Sequence, residues 1–165
     1  MTLHSSCACG HVQLETEGAP IFSAVCYCDD CQEGARRIEA LPGAGKVLDG
    51  DGGSAYILFR KDRVRVIQGA ALLKDMKVKD ASPTKRVIAS CCHSAMYLGF
   101  DDSKHWLSLY RARFAEALPP VQMRICTKFK PAGAVLPNDV PSYPKWPGKF
   151  LFKLLGARLA MLLGR

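Results

Sequence analysis

Five of the eight cysteines lie within a short N-terminal stretch of the 165-residue chain. They form Cys-Ala-Cys-Gly at residues 7–10 and Cys-Tyr-Cys-Asp-Asp-Cys at residues 26–31. Thiolates spaced by one or two residues can converge on one zinc ion, which prefers sulfur and nitrogen ligands in a tetrahedron. Gly10 permits the backbone conformations of a tight turn beside Cys9. This spacing predicts metal binding through thiolates.

The triplet Cys26, Cys28 and Cys31 is the candidate catalytic set. Three protein ligands leave the fourth position of a tetrahedral zinc open to a substrate, whereas four ligands make a closed, structural site. Cys126 stands alone within a strand pattern, and we interpret it as a buried small hydrophobic residue.

A reducing, cytoplasmic location is expected. The N-terminus lacks the basic and apolar regions of a signal peptide, and closely spaced cysteines suit a metal better than disulfides. The net charge is +8, and the segment 145–165 carries five cations and no acid. A basic end is a weak indication of an anionic partner, but no aromatic stacking pattern indicates nucleic acid.

Short segments with strand patterns and many turns predict a mainly β fold of antiparallel strands. The predicted strands are 11–16, 21–25, 55–59, 63–67, 86–88, 95–100, 106–110 and 121–128. The glycine-rich segment 48–53 lacks the ending of a phosphate-binding loop and is interpreted as a turn. Residues 111–118 are expected to form a short helix that ends at the following prolines.

A second helix is predicted over residues 148–163, with a broad apolar face interrupted by cations. It is too short and too charged to span a bilayer. It can dock on the body, pair with a second subunit or lie on a membrane surface. We therefore expect one β domain over 1–136, then a proline-rich connector and a basic amphipathic helix over 137–165. The sequence predicts no oligomeric state.

The order of these motifs resembles the glutathione-dependent formaldehyde-activating enzyme family, which includes the centromere protein V type domain. The matching residues are Cys7, Cys9, Gly10, Val12, Gly18, Pro20, Cys26, Cys28, Cys31, Arg86, Cys92 and Ser94. The resemblance implies a β-tent fold with one or two zinc ions. It also implies a structural site at Cys7, Cys9 and Cys92, a catalytic site at the triplet, and carbon–sulfur lyase chemistry that joins glutathione to formaldehyde.

Three positions depart from the family pattern. Ala89 stands where the later pair should begin, so Cys91 is the nearby candidate for the missing ligand, with His93 a less favoured one. Tyr27 replaces a usual histidine, and Gln32 replaces a common arginine.

Two functions follow as hypotheses. In the first, the triplet zinc activates a small thiol for attack on an aldehyde, and Arg36, Arg37 or Arg86 holds the carboxylates of a glutathione-like peptide. In the second, the zinc is structural and the basic helix binds a membrane, a nucleic acid or a protein. The third hypothesis is that the protein keeps the fold but has lost the metal. Asp29 and Asp30 place negative charge beside the triplet, which opposes an anionic thiol.

Overall fold

The computed structural model describes residues 1–164, which form ten strands and two α-helices. The strands are β1 Thr2–Ser6, β2 Gln13–Glu17, β3 Phe22–Cys26, β4 Ser54–Arg60, β5 Val64–Gln68, β6 Leu73–Met76, β7 Thr84–Ala89, β8 Ser94–Phe100, β9 Trp106–Tyr110 and β10 Met123–Ile125. The helices are α1 Asp29–Glu39 and α2 Gly148–Leu162. Short 3-10 turns cover Lys61–Arg63, Ala70–Leu72, Arg111–Arg113 and Thr127–Phe129.

The strands form two sheets. A three-stranded sheet has the order β1-β2-β5, and a seven-stranded sheet has the order β10-β3-β4-β9-β8-β7-β6. Neighbouring strands are antiparallel except β10, which runs parallel to β3 with Ile125 opposite Cys26. The chain therefore has the mainly β, mostly antiparallel architecture that its short strand patterns predict.

The main core lies where both helices cover one face of the seven-stranded sheet. It joins residues of the sheet such as Phe22 and Tyr56 to Ile38 of α1 and to Phe150 and Leu154 of α2. Burial of these apolar side chains is the dominant favourable contribution to folding. The helices are thus held against the sheet that contains β3, whose last residue is Cys26.

Most predicted strands are present with small shifts of their ends, but two predictions were wrong. Residues 111–118 contain the 3-10 turn Arg111–Arg113 and an isolated β-bridge from Phe114 to Ser5, instead of a short helix. The predicted strand 121–128 is confined to β10, because the chain turns left-handed at Cys126, with φ 58°, and continues as a 3-10 turn. Sequence reasoning also missed β1, β6 and α1.

The sequence of α1 contains charged residues that are typical of helix ends. Asp29 and Asp30 lie in its first turn and Arg36 and Arg37 in its last, which complements the helix dipole. The cysteine spacing favours a tight turn over these residues, and this prediction conflicts with the helical charge pattern that the structure confirms.

The predicted C-terminal helix is confirmed, and α2 packs against the body through its buried Phe150 and Leu154. Backbone hydrogen bonds also tie the connector to β10, since Arg124 donates to Pro141 and Tyr143 donates to Arg124. Within residues 1–164, no helix has the length and apolar character needed to cross a bilayer. Arg165, the last cation of the basic segment, lies outside the described residues.

Candidate metal centres

Four cysteines meet where the two sheets approach each other. Cys7 and Cys9 lie in the turn between β1 and β2, and Cys91 and Cys92 lie in the turn between β7 and β8. The Sγ atoms are 3.5 Å apart for Cys7 and Cys9, 3.3 Å for Cys9 and Cys91, and 3.8 Å for Cys7 and Cys91. A zinc ion with bonds of ~2.3 Å has tetrahedral edges of about 3.8 Å. The four thiols therefore fit one ion.

Hydrogen-bond donors surround this four-cysteine site. The Val12 amide donates to Cys7 Sγ at 3.3 Å, and His11 Nδ1 lies 3.2 Å from Cys9 Sγ. Ser94 Oγ lies 3.2 Å from Cys92 Sγ and accepts from the Ala8 amide at 2.9 Å. Such donors stabilise thiolate charge and orient the ligands.

Cys92 shows the effect of these donors. Although burial acts to raise its pKa, hydrogen bonds from the Ser94 hydroxyl and from nearby backbone amides lower the pKa of Cys92 to about 6.

The structure places Cys91, and not His93, with the other three thiols. His93 Nδ1 lies 2.8 Å from the carbonyl oxygen of Pro42, away from the cluster. Ala89, at the position of the expected ligand, is fully buried at the end of β7 and pairs with Ser94. The Cys91 thiol, two residues beyond the end of β7, therefore takes the place of the missing cysteine.

The triplet forms a second group, whose three Sγ atoms lie within 4.8 Å of one another. Cys26 is the last residue of β3, Cys28 precedes α1, and Cys31 lies in the first turn of that helix. The Tyr56 hydroxyl donates to Cys31 Sγ at 3.6 Å. The site is thus built at a strand-to-helix junction, and its three thiols can hold a metal.

The triplet favours a single negative charge, on Cys28. Hydrogen bonds from the thiols of Cys26 and Cys31 lower the pKa of Cys28 to about 3, and the charge of Arg86 acts in the same direction. Although the hydrogen bond with Cys26 acts to lower it, hydrogen bonding to Cys28 and burial raise the pKa of Cys31 to about 12. A metal held by all three as thiolates would therefore displace protons from the other two.

Cys126 is not the isolated residue that its sequence context suggested. Its thiol hydrogen-bonds the thiol of Cys26, and this contact is the largest of the interactions that raise the pKa of Cys26. The neighbour arises because β10 runs parallel to β3, and the left-handed backbone at Cys126 begins the turn after Ile125. Cys126 lies outside the group of mutually close thiols, so it contacts the triplet at one edge.

Tyr27 and Gln32, two of the departures from the family pattern, are structural residues here. The Tyr27 hydroxyl donates to Asp51 at 2.7 Å. The Gln32 amide donates to the carbonyl oxygens of Tyr27 and Phe129, at 2.6 and 2.7 Å. Gln32 therefore ties the start of α1 to the turn that follows Cys126.

The three arginines predicted to hold a substrate are separated by the fold. Arg36 and Arg37 pair with Glu33 on the exposed side of α1, at 3.2 and 2.7 Å. Arg86 is 1% exposed and donates to the Asp30 carbonyl oxygen at the start of α1. The triplet lines a cavity of about 200 Å³. Of the three arginines, Arg86 alone lines this cavity.

The N-terminal part of the chain is similar to a known protein family. Residues 2–40 match the family model of the glutathione-dependent formaldehyde-activating enzyme. This match confirms the resemblance over the first cysteine pair and the triplet.

A crystal structure of a Rhodobacter sphaeroides protein aligns with a TM-score of 0.51 and 17% sequence identity. The alignment covers 85% of this chain and 99% of the other, and at this identity it shows a shared fold alone. None of the curated proteins matches the sequence.

Proposed function

We propose that the protein is a zinc-dependent enzyme of the formaldehyde-activating family type, which makes or breaks a carbon–sulfur bond between a small thiol and an aldehyde. The four-cysteine site would hold a structural zinc in a β-tent fold, and the triplet would hold the catalytic one. The observation that carries this proposal is the contrast between the two sites. One has four converging thiols, and the other has three that face a cavity.

A zinc ion bound by three thiolates supplies an open coordination position and lowers the pKa of a thiol that takes it. Side chains of the protein stabilise the thiolate ligands. Arg86 places a buried positive charge beside Cys28, and Tyr56 donates to Cys31. Both interactions stabilise thiolate ligands without using the open position.

The reaction is an addition without a leaving group. The substrate thiol loses its proton, a sulfur–carbon bond forms at the carbonyl carbon, and the carbonyl oxygen takes up a proton. The product is a hemithioacetal, and the reverse reaction breaks the same bond. The apolar side chains that line the cavity lower the local polarity, which strengthens electrostatic interactions with the developing charge on oxygen.

The test measures exchange between aldehyde and hemithioacetal by NMR, with zinc-loaded protein and both glutathione–formaldehyde and alkyl thiol–alkyl aldehyde mixtures. We expect the wild type to bind two zinc ions and to accelerate exchange with at least one mixture. Cys28→Ser should lose one ion and the acceleration.

Cys126→Ser is the matched control, because the Cys126 thiol hydrogen-bonds Cys26 but lies outside the group of three mutually close thiols. It should keep both ions and the activity. Acceleration that persists in Cys28→Ser, or that is absent from fully loaded wild type, would contradict the proposal.

A second candidate function, binding to a membrane surface, is favoured by the exposed side of α2. Leu151, Leu155, Leu159 and Leu162 follow one another at three- and four-residue intervals and are 51–70% exposed. This spacing places them on one face of the helix, turned away from the buried Phe150 and Leu154. An exposed apolar stripe of this kind is typical of an interaction site.

Charge favours an anionic lipid surface as the partner of this leucine stripe. At 100° per residue, Arg158 borders the stripe, Lys149 lies further round the helix and Lys153 lies almost opposite the stripe, where it donates to Gln122 at 2.9 Å; α2 contains no acid. Each cation near an anionic membrane contributes about 1 kcal/mol. A second copy of α2 packed on the same stripe would instead bring like charges together.

Vesicle co-sedimentation tests this candidate with phosphatidylcholine alone and with added phosphatidylglycerol. Binding should require the anionic lipid and be lost in a Leu155→Ser, Leu159→Ser double variant that retains both zinc ions. Light scattering that shows a dimer abolished by the same variant, without vesicle binding, would assign the stripe to self-association and overturn the membrane reading.

A further inference from the structure

We infer that the substrate held beside the triplet is an apolar thiol or aldehyde, with an alkyl or aryl chain, and that glutathione is not the preferred thiol. This inference rests on the proposed function and names the substrate class of the same site. It is carried by the apolar walls of the cavity and by the contacts that already engage its charged groups.

Six aromatic rings form much of the cavity wall. They come from both sheet and helix and are Phe22, Tyr56, Phe100, Trp106, Trp146 and Phe150. Leu58, Leu98 and Ile125 complete the apolar wall, and the triplet lies at the same cavity. An alkyl or aryl chain would exchange water for these rings, which is favourable in proportion to the apolar area it buries.

The rings form a packed wall in which α2 takes part. Phe22 and Phe150 lie with their centroids 4.4 Å apart, Trp146 and Phe150 5.0 Å apart, and Phe100 and Trp106 5.4 Å apart. Because β3, β8, β9 and α2 all contribute, the apolar surface is built by the tertiary fold and is already in place before a ligand enters. A preformed cavity of this kind is the usual site for a small molecule.

The charged groups at the cavity are already engaged by the protein. Lys104 pairs with Asp102 and lies over the Phe100 ring, 5.0 Å from its centroid. The Asp30 carboxylate pairs with Lys79 at 2.9 Å, and the Arg86 guanidinium donates to the Asp30 carbonyl oxygen.

Glutathione carries two carboxylates and an ammonium group, and each would need a partner on leaving water. Arg36 and Arg37 are turned away on α1, where they pair with Glu33. Among the described residues, the cavity therefore offers no pair of cations that could receive two carboxylates without breaking existing contacts.

Both tryptophans of the chain line this cavity, so intrinsic fluorescence reports directly on its occupation. The experiment titrates the zinc-loaded full chain with hexanal, hexanethiol, formaldehyde and glutathione. We expect saturable changes with hexanal and hexanethiol, and a response to glutathione that is at least tenfold weaker or does not saturate.

Two phenylalanine variants provide matched controls. Phe100 is partly buried in the cavity wall, and Phe129 is 37% exposed outside it. Phe100→Ala should weaken hexanal binding about tenfold, equivalent to the loss of roughly 50 Å² of apolar contact. Phe129→Ala should leave hexanal binding unchanged, and both variants should retain the wild-type circular dichroism spectrum.

The outcomes separate this inference from the proposed function. Saturable binding of hexanal without any acceleration of adduct exchange would uphold the apolar cavity ligand and refute the enzyme. Glutathione that saturates at lower concentration than hexanethiol would overturn the inference while leaving the enzyme intact. Absence of saturable binding by both six-carbon probes would also overturn it.

Discussion

At the scale of single residues, Gly34 allows Arg86 to lie beside the triplet. A Cβ atom at Gly34 would lie only 2.0 Å from Arg86 Nε and 2.7 Å from Cζ. The arginine crosses α1 at this point and donates to the Asp30 carbonyl oxygen one turn earlier. The buried Nε of Arg86 has no hydrogen-bond partner among residues 1–164. The side chain is therefore held by packing against the helix and by attraction to the charge of Cys28.

Gly34→Ala should therefore destabilise the protein by about 1–3 kcal/mol, because a buried side chain must move to admit the methyl group. It should also weaken zinc binding at the triplet. Gly156→Ala is the matched control in α2, where nothing lies within 4 Å of the added atom. The control should be neutral or stabilising by up to about 1 kcal/mol.

Urea unfolding of both variants, with zinc present, measures these changes in the free energy of unfolding. Equal effects at the two glycines would show that helix propensity, and not the contact with Arg86, decides the outcome.

At the scale of elements, α2 has two distinct sides. One side places Phe150 and Leu154 in the main core, and His105 Nε2 donates to the Leu154 carbonyl oxygen at 2.8 Å. The other side carries the exposed leucine stripe. The helix therefore lines the cavity with one side and exposes the other to solvent.

Adjacent leucines in α2 distinguish the two sides. Leu154 is 6% exposed, and Leu154→Ala should destabilise the fold by about 2–5 kcal/mol through lost burial and the resulting cavity. Leu155 is 55% exposed, and Leu155→Ala should change stability by no more than about 0.5 kcal/mol. Chemical denaturation of the two variants compares them, and a large loss for Leu155→Ala would mean that the stripe is covered in solution.

At the scale of the whole molecule, the four-cysteine site joins the two sheets. Cys9 and Cys91 are 82 residues apart in sequence and belong to turns of different sheets. The triplet spans only residues 26–31. If a metal crosslink acts on the unfolded chain as a disulfide does, closing the longer loop contributes about 4 kcal/mol and the shorter about 2 kcal/mol.

Cys9→Ser should therefore lower the melting temperature more than Cys28→Ser. With a difference of about 2 kcal/mol and ~2–4 °C per kcal/mol, the gap should be roughly 4–8 °C. Differential scanning calorimetry with excess zinc measures it, and a strong chelator should remove the gap between the variants. A larger loss for Cys28→Ser would contradict the assignment of the structural role.

Local patterns in the sequence determined the features that depend on local chemistry. The spacing of Cys7 with Cys9 and of the triplet predicted two groups of converging thiols, and period-2 alternation located the strands β2 and β5. These predictions succeeded because backbone geometry alone constrains ligands that are a few residues apart. It likewise constrains side chains that alternate along a strand.

Only the tertiary structure decided which distant residues meet. The turn between β7 and β8 brings Cys91 to Cys9, and the parallel pairing of β10 with β3 brings Cys126 to Cys26. The orientation of α1 turns Arg36 and Arg37 outward. The apolar cavity likewise forms from strands and a helix far apart in sequence. These contacts depend on sheet register and helix packing, which arise from the summed burial of the whole core and not from any local pattern.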